Sequence, residues 1–349
     1  MNIIKRNVES SFFMPEIKIY FKKDFTFTLL TKPKSMRPPK ILVTGANGQI
    51  GRVLTEALRK IYGNESVLAT DITKLPITVE PFEFLDILNN QRLRELVEDH
   101  KITQIYHLAA ILSANGEWNP IKTWNINLNG LLAILELARE KDMDKIFFPS
   151  TIAVFGNTTP RINTPQDVPL LPSTVYGMSK STGELWCNYF HQRYGVDVRS
   201  LRYPGIIGWQ SLPSGGTTDY AVEIYHEALK HGKYECFLSE NTRLPMMYMD
   251  DAIKATIDLM QAPSENITIR YGYNLAAMSF TPGEISKEIQ KHIPEFSITY
   301  KPDFRQQIAA SWTESIDDSI ARKDWNWKPE YDLSSMSEDM LFHLKKTIL

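Results

Sequence analysis

Between residues 40 and 210, short apolar runs alternate with amphipathic stretches. Ile41-Leu42-Val43 in "KILVTGANGQIG" is apolar and partly β-branched, the composition of a central parallel strand. "RVLTEALRKIY" follows with apolar residues at helical spacing. "SVLATD" reads as a second strand closed by Asp71, and "FEFLDIL" as a third ending at Leu85-Asp86-Ile87, ahead of a helix in "NNQRLRELVEDH". "ITQIYHLAA" is a fourth strand, "TWNINLNGLLAILELARE" a long helix with an apolar stripe, and "KIFFPSTIAVFG" a fifth strand in which Ser150 and Thr151 follow Pro149. Strands alternating with helices at this spacing predict an α/β fold with a doubly wound parallel sheet.

Gly45, Gly48 and Gly51 stand three apart between the first strand and its helix. A tight turn there needs residues without Cβ, and the helix start offers free N–H groups and its positive dipole end to an anion. Asp71 closes the next strand twenty residues after Gly51. A carboxylate in that place accepts from both hydroxyls of an adenosine ribose and repels a 2′-phosphate, which points to NAD rather than NADP. Asp86 is placed either to meet an adenine edge or to cap the following helix. Ala109 and Ala110 suit close approach of a flat ring or pyrophosphate, or equally tight packing. His107, inside the fourth strand, reads as a core histidine. Asn125, Asn127 and Asn129 are odd in a helix because asparagine competes with the backbone for hydrogen bonds, so they are expected to hold a loop or a cofactor.

The composition is that of an ordinary soluble protein: 43% hydrophobic and 23% charged over 349 residues. The net charge of −2 conceals a division, with +6 on residues 1–40 and −8 on the remainder. An acidic body argues against nucleic acid as a partner. Cys187 and Cys236 form no C-x-x-C pair, and the seven histidines no H-x-x-x-H pair, so no metal site is expected. No apolar run is long enough to span a bilayer. Residues 1–38 are basic, lack periodicity and end in the linker-like "TKPKSMRPPK". That segment is either a targeting sequence, which would make the protein mitochondrial, or an extension of a cytoplasmic one. Met14 and Met36 are alternative starts.

"STVYGMSK" places Tyr176 and Lys180 four apart, one above the other on a helix that Ser173 is positioned to cap. A phenol ionises near pH ~10, too high for a base at neutral pH, and an ammonium one turn away favours the phenolate. Ser150 and Thr151, about 25 residues upstream at a strand end, are two candidates for the hydroxyl that holds a substrate oxygen.

Together "TGANGQIG", "HLAA", "NINLNG", "PSTIAVFG" and "YGMSK" resemble the extended short-chain dehydrogenase/reductase superfamily, which includes the nucleotide-sugar epimerases. The resemblance spans roughly residues 39–345. It implies a Rossmann-type NAD-binding domain, mainly 39–210, and a smaller substrate-binding region, mainly 211–349, with the chain crossing back. It implies Thr151 as catalytic hydroxyl, Tyr176 as base, and Lys180 as the lysine that also holds the nicotinamide ribose. The implied cofactor set joins Asn47, Gln49 and Ile50 to the three glycines, adds Asp71, Asp86 and Ile87, then Leu108, Ala109, Ala110 and Asn127. Tyr203 and Ile206 complete it.

Further on, "RYPGIIG", "PSGGTTDYAVEIYHEAL", "TRLPMMYMDDAIKATIDLM" and "SWTESIDDSIARKDWNWKP" look like the short-chain L-threonine 3-dehydrogenases, as does Pro149 ahead of "ST". That likeness implies NAD-dependent oxidation of the L-threonine β-hydroxyl to 2-amino-3-oxobutyrate. Ser113, Thr217, Thr218 and Trp312 then either contact the substrate or serve as loop hydrogen bonders and, for Trp312, a core or interface aromatic, and the glycines of "PSGGTTD" suggest a mobile lid. The family further implies a dimer or tetramer, formed through helices such as 91–100 and the asparagine-led one, and a coenzyme A-dependent enzyme that cleaves the product. Arg243 points elsewhere, because nucleotide-sugar enzymes place an arginine there for the substrate diphosphate. A nucleotide-sugar epimerase or dehydratase is therefore the alternative, and a non-catalytic NAD sensor a third that the Tyr–Lys pair argues against.

Overall fold

The computed structural model describes residues 38–74, 80–210, 212, 213 and 216–348. The N-terminal extension before residue 38 and Gly215 of the "GGTTD" stretch lie outside the described residues. The first strands in order are β1 (Ile41–Thr44), β2 (Val67–Asp71), β3 (Phe82–Phe84), β4 (Gln104–His107), β5 (Lys145–Thr151) and β6 (Val198–Tyr203). Beyond them come β7 (Gly205–Ile207), β8 (Lys233–Cys236), β9 (Leu244–Tyr248), β10 (Tyr273–Asn274), β11 (Met278–Phe280) and β12 (Ser297–Tyr300). Seven of these form one sheet in the order β10-β6-β5-β4-β1-β2-β3, every pair parallel. β11, β9 and β7 make a three-stranded sheet, and β12 pairs with β8.

The apolar strand runs follow from this burial on both faces. Ile41 and Val43 of β1 enter one core while Leu42 enters the other, and Phe147 of β5 parts in the same way from Ile146 and Phe148. The helices of this half are α1 (Gln49–Tyr62), α2 (Asn90–Asp99), the short α3 (Ser113–Gly116) and α4 (Pro120–Trp124), α5 (Gly130–Glu140) and α6 (Val175–Tyr194). The later helices are α7 (Tyr220–His231), α8 (Met249–Gln261), α9 (Pro282–His292), α10 (Arg305–Ala310), α11 (Ser319–Trp325) and α12 (Leu333–Ile348). Leu54 of α1, Leu259 of α8 and Trp325 of α11 cover one face of the large sheet. Leu93 of α2, Leu131 of α5 and Phe190 of α6 cover the other. A third core joins Tyr225 of α7, Ile289 of α9 and Met340 of α12 beneath β8 and β9.

Element ends differ from expectation where side chains compete for the backbone. β3 stops at Phe84, and Asn89 rather than Asp86 caps α2, accepting from Arg92 N–H at 3.0 Å. Asp86 turns back on its own chain, accepting from Leu88 N–H at 3.0 Å. Thr174 rather than Ser173 caps α6, accepting from Gly177 N–H at 3.0 Å. Ser173 reaches the Ser311 hydroxyl instead, at 3.1 Å. The asparagine-led helix is α4 running through a π-helical turn, Asn125–Asn129, into α5. Such turns carry an extra residue and collect at functional sites.

The large sheet reverses its winding at β1, which lies between β2 and β4. Ligands of doubly wound sheets bind at the carboxyl ends of the strands flanking such a switch point. That is where the glycine turn after β1 lies.

Candidate active site

At the switch point the backbone comes so close that only glycine fits. Gly45 has φ +70°, and a Cβ there would lie 2.6 Å from Ala109 N. A Cβ on Gly51 would lie 2.2 Å from Gly45 O and 2.9 Å from Ala46 Cα. Gly48 caps α1 with no side-chain hydrogen bond, so the first turn of α1 keeps N–H groups for a ligand. Gly45, Gly48, Gln49, Ile50 and Gly51 all line a cleft with Leu108 and Ala110 of the loop after β4. An open helix N-terminus behind a turn stripped of side chains fits a dinucleotide pyrophosphate.

Asp71 holds this turn in shape. Its Oδ2 accepts from Asn47 N–H at 3.0 Å, and its Oδ1 from Thr73 N–H at 3.3 Å. Asn47, Asp71 and Ala109 shape the turn from outside the cleft lining, and Asp86 and Ile87 are also outside it. Ile87 is a core residue packed against Gly130, and Asp86 is exposed. His107 is buried, hydrogen-bonded through Nδ1 to the Thr44 hydroxyl at 2.9 Å. Burial pushes its pKa down to about 3, so it stays neutral.

Asn127, in the π-helical turn, clamps the loop after β4. Its Oδ1 accepts from Ile111 N–H at 2.8 Å, and its Nδ2 donates to Ile111 O at 3.0 Å and Ser179 Oγ at 3.2 Å. Asn127 thus orders the site from behind and brings Ser113 into the cleft lining. Pointing that amide at the loop takes the extra residue of the π turn.

Thr151, Tyr176 and Lys180 meet in the same cleft, beside Tyr203 and Ile206 at the end of β6 and in β7. The Thr151 hydroxyl hydrogen-bonds the Tyr176 phenol. Lys180 is buried, donating through Nζ to Pro149 O at 2.7 Å. Its Nζ lies 4.5 Å from the Phe148 ring centroid and 5.8 Å from that of Tyr176. Burial lowers the Lys180 pKa to about 7 and raises that of Tyr176 to about 12, the Thr151 hydrogen bond opposing the rise. The expected depression of the phenol by the ammonium is not found here: burial raises the phenol, and Thr151 is the group that opposes the rise.

Ser113, Thr217, Thr218 and Trp312 line the same cleft, together with Asp219 at the start of α7. Thr217 Oγ1 and Trp312 Nε1 are buried with no hydrogen-bond partner among the described residues. Buried donors are satisfied in most proteins, so orphans in a cleft point to a bound polar ligand. Among the described lining residues Lys180 is the one cation and Asp219 the one carboxylate. Arg243 is outside the lining, donating through Nη1 to Ser279 O at 2.8 Å and pairing with Glu284 at 2.5 Å.

Against known proteins, a model of the NAD dependent epimerase/dehydratase family matches residues 41–276. The chain belongs to that family. A curated relative from Staphylococcus haemolyticus, an uncharacterized epimerase/dehydratase, is 48% identical over 307 residues, 86% of this chain and 96% of the relative. Among solved structures, a GalE-like L-threonine dehydrogenase from Cupriavidus necator in its holo form is 51% identical. It covers 88% of this chain and 100% of its own, with a TM-score of 0.86. The L-threonine dehydrogenase from Phytophthora infestans is 48% identical over 88% of this chain and 100% of its own, with a TM-score of 0.87.

One cleft residue of this epimerase/dehydratase family member, Asp219, is not singled out by its sequence. Asp219 was hidden because an aspartate before "YAVEIYHEAL" reads as a helix cap, although its Oδ2 accepts from Gly216 N–H at 2.8 Å. Residue type and spacing leave Ser150 and Thr151 as two candidates for the oxygen-holding hydroxyl, of which the resemblance implies Thr151, and the packing agrees with it. Ser150 Oγ is committed to Glu184 at 2.5 Å.

Gly51→Ala places a methyl against backbone that cannot give way. Fluorescence titration is expected to show NADH affinity at least ~10-fold weaker with the fold retained by circular dichroism. Unchanged affinity would remove the glycine turn from the cofactor site.

Proposed function

We propose that this chain is an NAD-dependent L-threonine 3-dehydrogenase that oxidises the substrate β-hydroxyl. The observation that carries the reading is the charge of the cleft, one lysine and one carboxylate among hydroxyls and an indole N–H. A nucleotide sugar brings a diphosphate that needs cationic side chains. Arg243, the residue that favoured such a substrate, is spent on Glu284 and Ser279. A small zwitterion fits the set better. Asp219 offers a countercharge to its ammonium, and Thr217 Oγ1 and Trp312 Nε1 supply donors for its carboxylate. Ser113 and Thr218 add hydroxyls alongside them. Identity near one half to L-threonine dehydrogenases across their full length supports the same substrate.

The residues 39–210 then bind mainly the cofactor and 211–349 mainly the substrate. Gly45, Gly48 and Gly51 hold the pyrophosphate with the α1 N-terminus. Asp71 accepts from the adenosine ribose while keeping Asn47 in place. NAD, when bound, supplies the acceptor for the two electrons that leave the substrate Cβ as hydride. Tyr176 receives the hydroxyl proton through its phenolate, and Thr151 donates to the substrate oxygen as it becomes a ketone. Lys180 lies one turn beyond Tyr176, where it can hold a ribose hydroxyl and, in its ammonium form, favour the phenolate.

Removing the base separates chemistry from binding. Tyr176→Phe is expected to lower kcat at least ~1,000-fold while NADH affinity stays within ~2-fold. Equal loss of both would make Tyr176 a structural residue.

The phenol at about 12 also sets a pH dependence. Below its pKa the phenolate fraction rises tenfold per unit, so kcat/KM for L-threonine is expected to go on rising above pH ~8. A plateau reached below pH ~7 would contradict Tyr176 as the base. Asp71→Ala removes the carboxylate that repels a 2′-phosphate and is expected to cut the preference for NAD over NADP by ~10-fold or more. An unchanged ratio would take Asp71 out of the ribose site.

A further inference from the structure

Helix α6 and the end of β5 meet in three matched rungs. Tyr176, Lys180 and Glu184 are spaced by four and share one face of α6. Their partners are three consecutive residues of β5: Thr151 for Tyr176, Pro149 O for Lys180 and Ser150 Oγ for Glu184. The first two rungs belong to the reaction just described. The third has no part in it, yet it is the most heavily bonded of the three.

Glu184 and Arg202 are both almost fully buried, 1% and 2% exposed. Glu184 Oε1 accepts from Ser150 Oγ at 2.5 Å and from Arg202 Nε at 2.9 Å, and Oε2 accepts from Arg202 Nη2 at 2.8 Å. Arg202 Nη1 donates to Gln166 O at 2.9 Å and Asn274 Oδ1 at 3.0 Å. Asn274 Nδ2 in turn donates to Thr164 O at 3.1 Å and Asp317 O at 3.2 Å. The Thr164 hydroxyl meets that of Thr313, which is next to Trp312 of the cleft. One buried network thus runs from the residue before Thr151, through α6 and β6, to the residue after Trp312.

We propose that Glu184, acting through Ser150 and balanced by Arg202, is a positioning residue for Thr151 and Tyr176. Ser150 immediately precedes Thr151 at the end of β5, so anchoring the Ser150 side chain on α6 fixes the backbone from which Thr151 projects. The anchor must be polar and directional because apolar packing alone leaves a strand end free to shift. It must also be paired, since an isolated buried carboxylate would be too costly to keep ionised. Glu184 with Arg202 meets both conditions and adds no net charge beside Tyr176 and Lys180.

The proposal rests on the dehydrogenase reading for its kinetic arm and on the structure alone for its exchange arm. Ser150→Ala is the milder variant, because it leaves the Glu184–Arg202 pair whole. With L-threonine and NAD its kcat is expected to fall ~10-fold or more, with KM and NADH affinity within ~2-fold. Hydrogen exchange read by mass spectrometry is expected to quicken ~10-fold or more across residues 150–153 and to match the unsubstituted protein elsewhere. Glu184→Gln keeps a hydrogen-bond acceptor for Ser150 but leaves the Arg202 charge unbalanced. The rising limb of its kcat/KM profile is expected to move to lower pH by about half a unit or more, which lost packing alone would not do. Wild-type kcat in Ser150→Ala, unchanged exchange at 150–153, or a Glu184→Gln profile that superimposes on the wild type would each overturn the proposal. If Glu184→Gln does not fold, Ser150→Ala decides. If the unsubstituted protein is silent on L-threonine, the dehydrogenase reading falls and exchange at 150–153 still decides the anchoring.

Discussion

The closeness of two backbone turns governs this structure. Gly45 follows β1 so near to Ala109 that a single Cβ would be 2.6 Å from a backbone nitrogen, and Gly51 leaves α1 resting on the same turn. With β1 central in the sheet, everything at its carboxyl end inherits that geometry. The α1 N-terminus opens into the cleft, Asn127 can reach the loop after β4, and Ser113 is brought round to face Tyr176 and Lys180. Larger residues at those glycines would part β1 from β4 and open the crevice that the switch in winding creates.

Burial then decides the chemistry that the cleft can offer. Tyr176 and Lys180 stand one helical turn apart, as their spacing requires, yet the low-dielectric surroundings hold the phenol up and the amine down. Neutral forms are favoured for both, and His107 behind them is neutral too. Deep beside the site, Glu184 and Arg202 are matched charge against charge. A site of this kind suits a reaction in which one proton leaves a hydroxyl and the substrate itself carries no multiply charged group.

The order of the first five strands was legible because the central ones carry apolar runs buried on both faces, as at Ile41-Leu42-Val43. The cleft also gathers the glycine turn, Tyr176 and Lys180, which residue type at short spacing singles out, with Thr151 and the Thr217-Thr218 pair, which the resemblance implies. Element ends were less so. Asn89 and Thr174 took the caps from Asp86 and Ser173 because neighbouring polar side chains compete for the same N–H groups within a kcal/mol or so. Contacts between distant segments could not be read at all. Nothing local to Ser150 tells of Glu184, thirty-four residues on, and nothing near Arg243 tells of Glu284. Those two pairings commit the Ser150 hydroxyl and the Arg243 guanidinium to partners within the protein.

The most direct test of the account is the absorbance of NADH formed by the unsubstituted protein from NAD and L-threonine, with EDTA present and nucleotide sugars assayed in parallel. Steady NADH production on L-threonine that survives EDTA, with no conversion of the nucleotide sugars, is the predicted result. Silence on L-threonine together with turnover of a nucleotide sugar would contradict it.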